Sequence, residues 1–398
     1  MDWDATRALF ELSEGVIYLD GNSLGPMPKA ARAAMARVQD EWSQQLIRGW
    51  NRCGWMAQPA ALGDRIGRLI GAPPGTTVIG DTLSVKVHQA LAAALALRPG
   101  RRVILSDTGN FPSDLYMAEG LIEALGQGHE LRLAEPEGVA EAIEAAGDDL
   151  AVLMLTEVDY RTGRRHDMPK LTAQAHAAGA LAIWDLAHSA GALPVDVAGG
   201  GADFAVGCTY KYLNAGPGAP AFIHARPDLV DEVSPALSGW LGHAAPFAFE
   251  QGYRPGAGIE RMRVGTPPVL QMAALGAALD IWDTVGMDAL RARSIALCDR
   301  FIAGVEASCP ALTLASPREG ARRGSQVSFR HPEGYAVMQA LIARGVIGDF
   351  RAPDILRFGF TPLYTSEGDV DGAVRHLAEI LRTGEWDTPE HRARAAVT

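Results

Sequence analysis

Short apolar runs that end in polar residues, with helical stretches between them, constrain this chain more than any other feature. Leu150–Leu155 is continuously apolar and closes on Thr156-Glu157-Val158. Leu181–Asp185 is four apolar residues and a carboxylate, and Phe204–Gly207 ends just before Thr209-Tyr210-Lys211. Thr77–Ile79 and Arg102–Ser106 read as further strands. Helical patterning falls between the strands, to Leu97, to Leu125 and over Met168–Ala178. Such alternation builds a parallel sheet with right-handed crossovers. Pro220–His224 is expected as an edge strand of opposite sense. The fold class is therefore α/β.

In parallel sheets, ligands sit at the carboxyl ends of the strands. Asp185 and Lys211 fall there, 211 − 185 = 26 positions apart. A lysine can form an imine with an aldehyde, and a carboxylate can keep a pyridine nitrogen protonated; the pair suits pyridoxal 5'-phosphate. Each residue alone has a plainer reading, Asp185 as a cap and Lys211 as a solvated side chain. His188, one turn beyond Asp185, and the Gly/Pro loop after Lys211 favour the cofactor. Asp81-Thr82-Leu83-Ser84 opens a helix directly after a strand. That is either a simple cap or an anion site made of free amides and dipole, with the Ser84 hydroxyl added. Phe111 stands at a strand-to-helix junction, where it could plug the core or lie against a pyridine ring. Arg357 lies inside an apolar alternation, DILRFGFTP, where an unpaired guanidinium is costly. It is either half of a structural ion pair or a fork for an α-carboxylate.

Residues 18–28, YLDGNSLGPMP, form a turn-rich segment with the amides of Gly21, Asn22 and Gly25 free to face a ligand. A helix is expected from Lys29 to Arg48, broken at Gly49-Trp50-Asn51, and another from Gln58 to Ile70. Ser238–Thr266 is loop-like, and its aromatics (Trp240, Phe247, Phe249, Tyr253) suggest an active-site wall. After a helix over Pro268–Trp282, a C-terminal unit is expected. Its elements are a helix over Met287–Ala307, strands near Gln326–Phe329 and Ile355–Phe358, a helix over Asp369–Arg382, and a frayed tail from Gly384. Three parts follow: an N-terminal arm and helix joining the small domain (1–50), a large cofactor domain (51–282) and a small domain (283–398).

The chain has 398 residues, 48% of them hydrophobic, and a formal charge of −11. This balance argues against nucleic acid or an anionic membrane as partner. The apolar run Ala90–Leu97 falls far short of the roughly eighteen residues of a membrane span. The acidic start, MDWDATRALFELSEG, lacks a signal-peptide pattern. Four cysteines without a CxxC pair argue against a metal site or a disulfide framework. A cytoplasmic location is expected.

As a set, these residues resemble the kynureninase family of fold-type I pyridoxal-phosphate enzymes. The resemblance is carried by YLDGNSLGPMP (18–28), DTLSV (81–85), NFPSD (110–114), DLAHSAG (185–191), TYKYLNAGPG (209–218), SGWLGH (238–243) and LRFGFTPLYTS (356–366). It implies a mainly parallel large domain with a smaller α+β domain. It implies Lys211 as the cofactor tether and proton carrier, Asp185 on the pyridine nitrogen, and His188 near the ring's phenolate side. Phe111, with Pro112, Ser113, Asp114 and Thr156, would surround the ring. Leu83, Ser84 and Tyr210 would hold the phosphate, joined by Trp240 and Thr266 from a second subunit, so that the enzyme is a homodimer with composite sites. Arg357, Asn22 and Ser23 would bind the substrate carboxylate. The implied reaction is hydrolytic Cβ–Cγ cleavage of L-kynurenine to anthranilate and L-alanine, with Tyr210 as a proton donor. Thr266, where some members have Asn, points to kynurenine rather than its 3-hydroxy form. Alternatives are a cysteine desulfurase, an aminotransferase, or a non-catalytic cofactor-binding regulator. A desulfurase needs a reactive loop cysteine, whereas Cys298 and Cys309 fall on or at the end of an expected helix.

Overall fold

Residues 1–394 are described by the structure, a computed structural model. The strands in chain order are β1 (Ile17–Tyr18), β2 (Thr77–Ile79), β3 (Val103–Asp107), β4 (Glu130–Ala134), β5 (Leu150–Thr156), β6 (Leu181–Asp185), β7 (Phe204–Gly207), β8 (Phe222–Ala225), β9 (Thr313–Leu314), β10 (Gln326–Arg330), β11 (Val346–Ile347), β12 (Asp349–Arg351) and β13 (Ile355–Gly359). The apolar runs form the middle of a seven-stranded sheet ordered β2-β8-β7-β6-β5-β3-β4. From β7 to β4 every pairing is parallel. Helices on both faces bury the sheet, so successive residues of one strand enter different cores. Leu181 and Ile183 of β6 pack with Val87, Leu91 and Leu121, while Ala182 and Trp184 pack with Leu171, Met272 and Leu275.

The reversed strand is present, but it is not an edge. β8 pairs antiparallel with β7 on one side and with β2 on the other, leaving β2 outermost. All four β8 residues are buried, and its uncharged FIHA sequence is what an interior strand requires. The opposite edge, β4, gave no sequence signal because ELRLA is charged and largely exposed. The first long helix runs Lys29–Gln45 and breaks at Leu46, whose φ is +51°. Gly49-Trp50-Asn51 does not break a helix: Gly49–Arg52 is itself a short one. Gly49 is required there because a Cβ would overlap the Trp55 ring.

The C-terminal sheet is ordered β12-β13-β10-β9 and is antiparallel throughout. Its core gathers Phe301, Phe329, Phe358 and Phe360, and Leu19 of the N-terminal arm inserts among them. β1 pairs parallel with β11, so the arm adds to this unit. The helix Lys29–Gln45 instead packs through Ala31, Ala34 and Val38 on Ala273, Ala274 and Ala277 of the helix Val269–Trp282. The segment after Gly384 is not frayed over the described residues. Pro389–Arg392 is helical, capped by Thr388, and Arg392 pairs with Glu333 at 2.7 Å; residues 395–398 of that expectation lie outside the described residues. Among the described residues, no helix is long and apolar enough to cross a membrane.

Candidate active site

Register brings the carboxyl ends of three strands level: Thr156 of β5 faces Asp185 of β6, which faces Val206 of β7. Asp185 is buried, accepting from Ala187 N at 2.8 Å and from Thr156 Oγ1 at 3.3 Å. Asp114, from the helix Pro112–Leu125, joins it. Burial pushes both carboxyls up, most strongly Asp114, and the Lys211 cation pulls both down. Asp114 therefore holds the proton and donates to an ionised Asp185, while its own Oδ2 is buried without a partner.

Lys211 Nζ stands 5.7 Å from the centre of the Phe111 ring and 5.8 Å from that of Tyr210. Among the described residues, no hydrogen bond or ion pair holds it. Phe111 is 41% exposed, and its position is set from behind. Its N–H donates to Asn110 Oδ1 at 2.7 Å, and Asn110 Nδ2 donates to Ser106 Oγ at 2.9 Å. The ring also meets Tyr160 edge-to-face at 5.2 Å.

Two helix N-termini meet beside this ring. Thr82 precedes the helix Leu83–Ala96 and Phe111 precedes Pro112–Leu125, and neither side chain caps its helix. Ser84 Oγ and Ser113 Oγ lie 2.9 Å apart, tying the two first turns together. Uncapped amides, two dipoles and two hydroxyls suit a phosphate dianion. Tyr210 keeps its proton, since burial raises its phenol far above neutrality. His188 is neutral: burial, then Lys211 and Arg357, push its imidazole well down. Gln326 fixes its tautomer. The Gln326 amide nitrogen donates to the Asp159 and Tyr160 carbonyls, leaving Oε1 to accept from His188 Nδ1 at 2.8 Å.

Arg357 is buried with its fork engaged by Asp349. Nε donates to Oδ1 at 2.7 Å, and Nη2 donates to Oδ2 and, at 2.7 Å, to Ser23 Oγ. Nη1 donates to the Tyr160 carbonyl, so four of five N–H groups are spent and one remains. Arg357 is thus in an ion pair and still has a donor for a ligand; the two sequence readings are not exclusive. Asn22 lies in the same loop, fully buried, with neither amide atom partnered. That loop is seated by glycines. A Cβ on Gly21 would overlap Tyr364, one on Gly359 would overlap Asn22, and one on Gly25 would come within 2.9 Å of Asn214 Cα. Gly25 N also donates to the Tyr210 carbonyl at 2.8 Å, so the N-terminal loop docks on the turn that carries Lys211. A hollow of about 600 Å³ borders the loop through Leu24, Gly25 and Asn214, but Lys211, Asp185 and Arg357 do not line it.

Trp240 and Thr266 are not joined to this cluster by any hydrogen bond or ring contact among the described residues. Trp240 is 42% exposed and stacks edge-on against Phe247. Thr266 shares a hollow of about 260 Å³ with Gly80, Asp81 and Thr82 of its own chain. Sequence reasoning missed Asp349, Tyr160 and Gln326. None of the three carried a usable signal: Asp349 meets Arg357 only through the pairing of β12 with β13, and Asp354 stands nearer to Arg357 in the sequence.

A three-layer α/β sheet with a lysine and a buried carboxylate at its carboxyl edge defines the fold-type I class of enzymes. In agreement, an apo cysteine desulfurase from Thermococcus onnurineus superposes with a TM-score of 0.80 at 21% identity, over 96% of this chain and 98% of that one. A C-DES variant with glycine covalently linked to its PLP cofactor superposes at 0.81 and 19% identity, over 94% and 99%. These likenesses establish the fold. Kynureninase from Pseudomonas fluorescens is 53% identical over 98% of this chain and 95% of its own length, and kynureninase from Burkholderia pseudomallei is 52% identical over 98% and 95%. A family model of the kynureninase C-terminal domain matches residues 290–377. The chain belongs to the kynureninase family.

Proposed function

We propose that this protein binds pyridoxal 5'-phosphate on Lys211 and hydrolyses L-kynurenine to anthranilate and L-alanine. One observation carries the reading: an amine with no protein partner faces a buried, paired carboxylate at a strand edge. The residues fit the cofactor. Asp185 is held ready for a ring-nitrogen cation by Thr156, Ala187 and the proton on Asp114; the two uncapped helix starts suit the phosphate; Phe111 offers an exposed ring face. When bound, the cofactor supplies an electron sink for the substrate's α-carbon.

The chain's own groups do the rest. Arg357, with Ser23 and Asn22, binds the α-carboxylate and fixes the α-carbon. Lys211 removes and returns protons there as the general base and acid of the site. Tyr210, a phenol that stays protonated, donates a proton as the Cβ–Cγ bond breaks. Water adds to the γ-carbonyl, so kynurenine plus water balances as anthranilate plus alanine. Thr266 supports a preference for kynurenine over its 3-hydroxy form, Trp240 supports a site completed by a second copy in a homodimer, and the acidic composition is in keeping with a cytoplasmic location.

Incubation with kynurenine should yield anthranilate and alanine in equal amounts, and Lys211→Ala should lose both the products and the visible cofactor band. A coloured protein that makes no anthranilate would refute the reaction. A desulfurase is disfavoured because Cys298 and Cys309 are buried, their thiols pushed up to about 11 by burial.

A further inference from the structure

The Arg357 subsite holds more carboxylate than a simple fork needs. Arg351 also donates to Asp349 Oδ2, at 2.6 Å, and to Ser23 Oγ, at 3.2 Å. Two guanidiniums thus share one carboxylate and one hydroxyl. Asp20 is the fourth charge. It is half-buried as a residue, but its Oδ1 is shut off from solvent and has no hydrogen-bond partner. Its carboxyl also interacts with Asp349, Ser23 and Arg357. If all four groups are ionised, the cluster is neutral and offers no net attraction to a further carboxylate. With Asp20 as an acid the cluster carries +1, which one ligand carboxylate neutralises.

We propose that Asp20 sets the charge of this subsite, taking one proton from solvent as the substrate carboxylate docks on Arg357 and returning it when the product amino acid leaves. The proposal rests on Arg357 being the carboxylate site. The titratable or charged groups facing Asp20 are Asp349 and Arg351 of β12, Arg357 of β13, and the phenols of Tyr18, Tyr212 and Tyr364. Burial keeps all three phenols protonated, so only Asp349 and the two arginines are charged. Burial and Asp349 raise the Asp20 carboxyl to about 7 against the pull of Arg357. A second anion on Arg357 raises it further, so docking and protonation reinforce one another.

The test uses holoenzyme and 4-oxo-4-phenylbutanoate, a substrate-like carboxylate whose missing amino group can neither react nor titrate. Calorimetric titration in Hepes and in Tris, buffers of different ionisation enthalpy, counts protons taken up per ligand. Uptake should rise from near zero at about pH 6 toward one at about pH 8.5, with affinity weakening roughly tenfold from about pH 7.0 to 8.3. Asp20→Asn should abolish both trends. Unchanged trends in Asp20→Asn, or a flat proton count in the wild type, would overturn the proposal. Should Asp20→Asn fail to fold, infrared difference spectra of the wild type decide: at about pH 8 the ligand must restore a protonated-carboxyl band, and its failure to do so refutes the idea. Arg357→Gln separates the two levels. If it binds the ligand as tightly as wild type, the subsite reading falls and takes this proposal with it; if it loses binding while the wild type takes up no proton, only the role of Asp20 falls.

Discussion

Tyr210 and His224 show how burial, as the largest cause, decides what a titratable side chain can do. The Tyr210 phenol, raised first by burial and then by Cys208 and Asp185, cannot ionise near neutrality, so its chemistry is limited to donating and relaying a proton. Tyr210→Phe is expected to lower kcat by roughly a hundredfold or more; turnover within about twofold of wild type would assign the proton elsewhere. His224 is sealed inside the sheet, with Nδ1 at 3.0 Å from Thr76 Oγ1 and 3.1 Å from Thr76 O. Burial holds its imidazole at about 4 against 6.5 in a model peptide. The unfolded chain thus binds a proton below about pH 6.5 that the native protein refuses until about pH 4. Stability is complete above the unfolded value and is lost as pH falls between the two, by about 3 kcal/mol at roughly 1.4 kcal/mol per unit. Urea midpoints of wild type and His224→Asn should therefore converge on acidification from about pH 7 to 4.5. A constant difference would mean that His224 does not titrate in this window.

At the scale of elements, the loop Gly21–Gly25 matters because it packs the residues proposed to take the substrate carboxylate onto the Lys211 turn. A methyl group on Gly25 would meet Lys211 O and the Asn214 backbone, which no rotamer change relieves. Gly25→Ala should cost about 1–3 kcal/mol through overpacking, read as a lower Tm. KM should also rise, because Asn22 and Ser23 shift with the loop; an unchanged KM would detach the loop from substrate binding. This loop was legible in the sequence as a motif but not as a clamp, since its partners lie near residues 211, 359 and 364. The central strands were legible because strands buried on both faces must be continuously apolar. The place of β8 was not, because strand order depends on which neighbour arrives, and β2 arrived outside it. The helix Gly334–Ala343 was lost because GYAVMQALIA is buried nearly all round and shows no amphipathic period. Asp185 and Lys211 could be paired from sequence because their chemistry is complementary and because one ends a strand while the other follows a strand end by four residues. Asp349 and Arg357 could not, because they meet as cross-strand neighbours whose register is fixed only when β12 and β13 pair.

For the whole molecule, six of the thirteen exposed large apolar side chains among the described residues fall in two segments. Trp42, Leu46 and Ile47 lie at the end of the first long helix, and Trp240, Phe247 and Phe249 lie in the long loop. Grouped exposure of this kind marks an interaction surface. The second copy proposed above would cover such a surface and would also account for Trp240, which the single chain leaves apart from Lys211. Light scattering should then give about twice the chain mass of 42.2 kDa. Mixing inactive variants tests the stronger claim that each site is built from two chains. In a heterodimer of Lys211→Ala with Trp240→Ala, a composite arrangement leaves one site with both residues intact, whereas a site built within one chain leaves none. Unfolding and refolding equal amounts together gives half heterodimers, so roughly a quarter of wild-type activity should return if the sites are shared. No recovery from a mixture shown to contain heterodimers would place Trp240 and Lys211 in the service of the same subunit, and the exposed loop would need another explanation.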